Sequence, residues 1–239
     1  MPTRDALSNF FITIVALFFM ALIGMLLKAC YRLPSERQMS AAGLAAVPKA
    51  IPIAIPVDIP APEPRGYQEG GFWVLPHPQL VPSRGNEADT LRIRSGPKED
   101  VFVLYFVDAL EATLTHPKRI SQQSAYFGNA PAQRVIEYGG KALAYVSELL
   151  TKKPFVVYTK KGRVPESERF YAMISVEMEP GKMSDLGELL VRKGYAEPIG
   201  QGINTMPGKM KPVNEYLKEL KKAESQAKAE RAGLWVHAQ

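Results

Sequence analysis

At 239 residues the chain has room for one or two domains, and 30 Lys and Arg against 24 Asp and Glu leave a formal charge of +6. The single cysteine, Cys30, excludes an internal disulfide and a thiolate metal cluster, and three histidines argue against a zinc enzyme. The modest positive balance permits contact with phosphate backbones or anionic lipid and requires neither.

Phe10 to Leu27 form an eighteen-residue run without a charge, rich in Phe, Leu, Ile and Met. As a helix it would span about 27 Å, close to the hydrocarbon thickness of a bilayer. Arg4 precedes the run; Lys28, Arg32 and Arg37 follow it. Residues 1–30 are therefore expected to be a single-pass transmembrane anchor, with lipid contact through residues 10–27. A cleaved signal segment is the alternative. The basic residues after the run favour a cytoplasmic domain, whereas Arg4 favours the opposite side. Residues 31–65 read as a linker, because Pro48, Pro52, Pro56, Pro60, Pro62 and Pro64 remove amide donors and favour extended spacing. The folded domain is expected over 66–239.

Within it, Phe72–Leu75 is a short apolar strand candidate, interrupted by Pro76 and Pro78. Thr90–Arg94 alternates polar and apolar side chains. Ser95-Gly96-Pro97-Lys98 turns the chain into Val101–Val107, a β-branched and aromatic run that meets carboxylates at Asp108 and Glu111. These three strands suggest an antiparallel meander. A polar loop follows, through His116, Lys118, Arg119 and Gly128. Ala132–Thr151 carries apolar residues at helical spacing, although Gly139-Gly140 favours a start near Lys141.

Pro154–Thr159 and Arg169–Val176 read as further strands. Met183–Val191 reads as a short helix closed by Gly194. A last helix over Val213–Arg231 turns Tyr216, Leu217, Leu220, Ala223 and Ala227 inward, with Trp235 packing back onto the body. The expected fold is α+β: a five-stranded β-barrel of the oligonucleotide-binding type with three helices, preceded by the N-terminal transmembrane helix.

Several pieces between Phe72 and Trp235 resemble the staphylococcal-nuclease-like (thermonuclease) family, and they occur in that family's order. Asp89-Thr90 is similar to its first acidic loop, and Val107-Asp108-Ala109-Leu110-Glu111 to its V-D-x-P-E strand end. Arg169 stands before a strand as its second active-site arginine does. Leu190-Val191-Arg192-Lys193-Gly194-Tyr195-Ala196 and the stretch from Ala223 to Trp235 resemble its later helix ends.

The resemblance implies calcium-dependent cleavage of DNA or RNA, single- or double-stranded. It assigns Asp89, Asp108 and the carbonyl of Ala109 to the metal, Glu111 to the general base and Arg169 to the scissile phosphate. Such groups suit the chemistry: a hard cation on carboxylate oxygens screens an anionic phosphodiester and activates water, a carboxylate takes the proton, and a guanidinium fork holds the phosphoryl oxygens. The pattern breaks at Val103, where the family carries another arginine, at Leu110 in place of proline, and at Glu87 in place of aspartate. Lys118, Arg119 and Arg92 are the candidates for the missing charge. A catalytically silent barrel that binds nucleic acid or a protein partner is the competing expectation.

Overall fold

The computed structural model describes residues 66–208 and 210–238. The expected anchor at 10–27 and linker at 31–65 lie outside these. Among the described residues no helix is long and apolar enough to cross a membrane.

The domain is mixed α+β. Strands β1 (Tyr67–Glu69), β2 (Phe72–Val74), β3 (Gln79–Leu80), β4 (Thr90–Ser95), β5 (Lys98–Leu104) and β6 (Asp108–Ala109) come first. Helices α1 (Pro117–Tyr126) and α2 (Ala132–Lys152) follow, then β7 (Phe155–Thr159), β8 (Phe170–Glu179) and β9 (Lys182–Asp185). Helix α3 (Leu186–Arg192), β10 (Ala196–Glu197), α4 (Val213–Ala229) and a 3-10 turn (Gly233–His237) complete the order. The main sheet is paired in the order β1-β2-β7-β8-β5-β4-β3, with β9 against β8, and β10 pairs β6 in a separate ribbon. The β5–β8 pair is parallel, Val103 lying opposite Tyr171, whereas β4–β5 is an antiparallel hairpin.

The five strands expected from periodicity correspond to β2, β4, β5, β7 and β8, but the expected meander is corrected. β2 pairs with β1 and β7, not with β4. Pro76 and Pro78 break the chain after β2, and the amide of Leu75 continues onto the Val157 carbonyl rather than turning back.

The run expected as one strand to Val107 is also broken. β5 ends at Leu104, and Phe106 takes a left-handed φ of +67°, costly for a bulky residue. Its amide donates to the Gln201 carbonyl at 3.1 Å. The chain then resumes as β6, where Asp108 faces Glu197 across the antiparallel ribbon.

Two further corrections concern helices. The stretch expected as a polar loop contains α1, which buries only Ile120 and Gln123 and so shows no apolar stripe. Helix α2 begins at Ala132 rather than near Lys141, because Gly139 is where it crosses the Leu110-Glu111 backbone. Met183–Asp185 belongs to β9, and Asp185 caps α3 by accepting from the Glu188 amide at 3.0 Å. Gly194, at φ +65°, closes α3 with the paired bonds of a Schellman motif: its amide reaches the Val191 carbonyl, and that of Tyr195 reaches Leu190.

The principal core fills the sheet beneath α2, α3 and α4. A second cluster joins Leu110, Ile120, Phe127, Val135, Leu234 and Trp235. Trp235 lies 4.5 Å from the Phe127 ring, so the C-terminal turn does pack back onto the body. Leu217, expected on the apolar side of α4, is exposed instead.

Candidate active site

The acidic cluster is assembled where β4 begins, β5 ends and the β6–β10 ribbon crosses. Asp89 is buried. Its carbonyl accepts from the Leu104 amide at 2.9 Å, fixing it beside the end of β5. Its Oδ2 accepts from the Ala109 amide at 2.7 Å, and Thr90 Oγ1 donates to Oδ1 at 3.1 Å. One carboxylate thus ties β4 to β6 across twenty residues of chain.

Glu111 is buried, and its backbone is clamped from α1. Its amide donates to Gln123 Oε1 at 2.9 Å, while Gln123 Nε2 donates to the Ala109 carbonyl at 2.8 Å. That carbonyl, expected as a metal ligand, therefore already accepts one hydrogen bond. From the opposite side α2 presses on the same backbone. A Cβ at Gly139 would stand 2.2 Å from the Glu111 carbonyl oxygen, so only glycine permits this crossing.

Arg119, one helical turn before Gln123, points from α1 into the cluster. Its Nη2 donates to Asp108 Oδ1, and its Nε lies 2.8 Å from Glu111 Oε1. The Nε contact is an ion pair with poor N–H alignment, so Glu111 Oε1 is buried without a well-directed donor. His116 Nδ1 lies 3.3 Å from Glu111 Oε2. Glu87, Glu111 and His116 also bring one ligand atom each within 4.8 Å of one another.

The crowding is visible in proton affinities. Burial, then the charge of Asp89, pushes the Asp108 carboxyl up to about 6. Burial raises Asp89 as well, against its amide and hydroxyl donors. Glu87 is raised by burial and by Asp89. Glu197, across the ribbon, is pushed up to about 7 by burial and then by Asp108.

A cleft of about 270 Å³ opens over the cluster, lined by Asp89, Val103, Asp108, Arg119, Arg169 and Gln201 among others. Arg169 is set just before β8, its amide and Nε donating to Ser167 Oγ at 3.1 and 3.3 Å. Of the expected site residues, Asp89, Asp108 and Arg169 meet in this cleft. Glu111 lies behind it, reached through Arg119, and Ala109 offers its amide to Asp89.

The donor set suits a hard divalent cation. Carboxylate oxygens predominate, one buried oxygen of Glu111 lacks a directed donor, and an added cation would offset the burial, and then the charge of Asp89, that raise Asp108. Arg119 was one of three basic candidates in the sequence, and of these it alone lines the cleft. Gln123 and Glu197 carried no sequence signal. The first sits on a helix without an apolar stripe, and the second depends on a two-residue pairing.

No curated protein matches the chain. The sequence model of the family described as staphylococcal nuclease homologue matches residues 102–237, so Asp89 and Glu87 join the site by geometry from outside the matched span. That match covers more than half of the chain, which therefore belongs to the staphylococcal nuclease homologue family.

Proposed function

We propose that this protein is a metal-dependent nuclease that hydrolyses phosphodiester bonds of DNA or RNA in the Asp89–Asp108–Arg169 cleft. Family membership supports a nuclease or nucleic-acid-binding role, and the family is typically metal-dependent. The observation that carries the enzymatic reading is the meeting of two metal-type carboxylates and a guanidinium in one cleft, with a buried carboxylate directly behind.

In this reading Asp89 and Asp108 hold a divalent cation, with calcium the candidate. When bound, the cation supplies charge screening and a more acidic water. Arg169 fixes the phosphoryl oxygens and meets the negative charge that grows on them. Glu111 takes the proton of the attacking water as the water oxygen bonds to phosphorus, and the leaving oxygen departs with the electron pair of the broken P–O bond and is protonated by solvent. Burial confines the Glu111 side chain, and the Gln123 clamp fixes the backbone that carries it. The uncharged run at residues 10–27 supports tethering to a bilayer as part of the same proposal.

A binding-only barrel is the second reading, motivated by Val103 in the cleft wall, where an arginine was expected. The two are separated by incubating the full-length chain in detergent with single-stranded DNA and with RNA, in calcium or in chelator. The enzymatic reading expects cleavage that chelator stops and that falls at least about 100-fold in Asp108→Asn. Salt-sensitive binding without cleavage would establish the second reading instead.

A further inference from the structure

We propose that Arg119 is a second phosphate-binding group of this cleft, presented to substrate by helix α1; the proposal rests on the nuclease reading above. Five carboxylates, Glu87, Asp89, Asp108, Glu111 and Glu197, act electrostatically on one another here. Two guanidinium groups, Arg119 and Arg169, line the cleft that an anionic phosphodiester would enter. With every carboxylate ionised, one divalent cation and both guanidinium groups still leave the cluster negative, so removing either arginine deepens the repulsion that an anionic phosphodiester meets.

The way Arg119 is held leaves it free to act. Its side edge, Nε and Nη2, faces Glu111 and Asp108. Its end edge, with Nη1, has no protein acceptor among the described residues, and the side chain is 40% exposed. A guanidinium has five N–H donors in a fixed plane, so the same group can rest against carboxylates and offer a fork to a phosphate.

The helix supporting it is anchored by Gln123, one turn beyond Arg119, which is locked onto the backbone of Ala109 and Glu111. The guanidinium is thereby fixed relative to the base and to a metal ligand, an arrangement that favours preorganised charge stabilisation.

The test compares wild type, Arg119→Ala, Arg119→Lys and the double variant Arg119→Ala/Val103→Arg, all as the full-length chain with calcium. Val103 lines the same cleft, so an arginine there returns a guanidinium to it. Arg119→Ala is expected to lower kcat by about 100-fold, Arg119→Lys by about tenfold through loss of the fork, and the double variant to regain at least about tenfold over Arg119→Ala.

A calorimetric arm measures the affinity for a DNA dinucleotide with and without a 5′-phosphate. Wild type is expected to prefer the phosphorylated form, and Arg119→Ala to lose about tenfold of that preference. Should Arg119→Ala fail to fold, Arg119→Lys decides: unchanged kcat and phosphate preference overturn the proposal. If wild type cleaves and Arg119→Ala cleaves within about threefold of it, the proposal fails and the nuclease reading stands. If wild type does not cleave yet Arg119→Ala loses the phosphate preference, the nuclease reading fails and the phosphate contact stands. Absence of both cleavage and phosphate preference in wild type overturns both.

Discussion

Glu111 is held from two sides, by Gln123 through hydrogen bonds and by Gly139 through close approach. The neighbouring glycine provides an internal control. A Cβ at Gly139 meets backbone oxygen at 2.2 Å, whereas one at Gly140 meets nothing within 4 Å. Gly139→Ala is therefore expected to destabilise by about 1–3 kcal/mol and to impair cleavage by displacing Glu111. Gly140→Ala should stabilise by up to about 1 kcal/mol through helix propensity. Urea unfolding of the two variants checks the pair, and similar effects from both would contradict the packing described. At this scale the sequence was partly legible. Asp89, Asp108 and Arg169 were recognisable and do line one cleft. The Gly139-Gly140 pair read as a helix-breaking signal because propensity does not show what a helix crosses.

The β6–β10 ribbon sets Glu197 opposite Asp108, and burial raises both carboxyls, to about 7 and about 6. Asp185, buried under α4, is likewise raised to about 6. A raised folded value means that the native chain keeps protons which the unfolded chain has released, so this contribution to stability is present at low pH and lost as pH rises through the folded values. In chelator, Tm is expected to fall between pH 5 and pH 7.5, and Glu197→Gln should flatten the decline. Calcium should recover the loss at pH 7.5 by taking the place of protons. A Tm that rises over this window without metal would contradict the crowding. Both the ribbon and α1 escaped sequence reading for physical reasons. A two-residue strand has no periodicity to detect, and α1 buries only Ile120 and Gln123, the one in a core cluster and the other on the polar backbone of the site.

Across the whole domain, the expected order of five principal strands and the helices after β5 and β8 survives in the fold. Strands that alternate over a hydrophobic interior, and a helix with a broad apolar face, announce themselves in sequence. Their partners do not, which is why β2 joins β7 and not β4. The bend at Phe106 was hidden inside an apolar run, since nothing in that run marks a left-handed residue. The bend turns Asp108 out of the β5 line and into the ribbon.

At the N-terminus, deletion of residues 1–30 is expected to move the chain from the membrane pellet to the soluble fraction on ultracentrifugation; continued sedimentation with membranes would contradict the anchor.

In the proposed reaction Glu111, buried behind the cleft, activates water against a phosphodiester. The most direct test of this role is single-turnover cleavage of DNA by wild type and Glu111→Gln at saturating calcium, with calcium affinity measured in parallel. Glu111→Gln is expected to cleave about 100-fold or more slowly while still binding calcium. Cleavage at the wild-type rate by Glu111→Gln would contradict it.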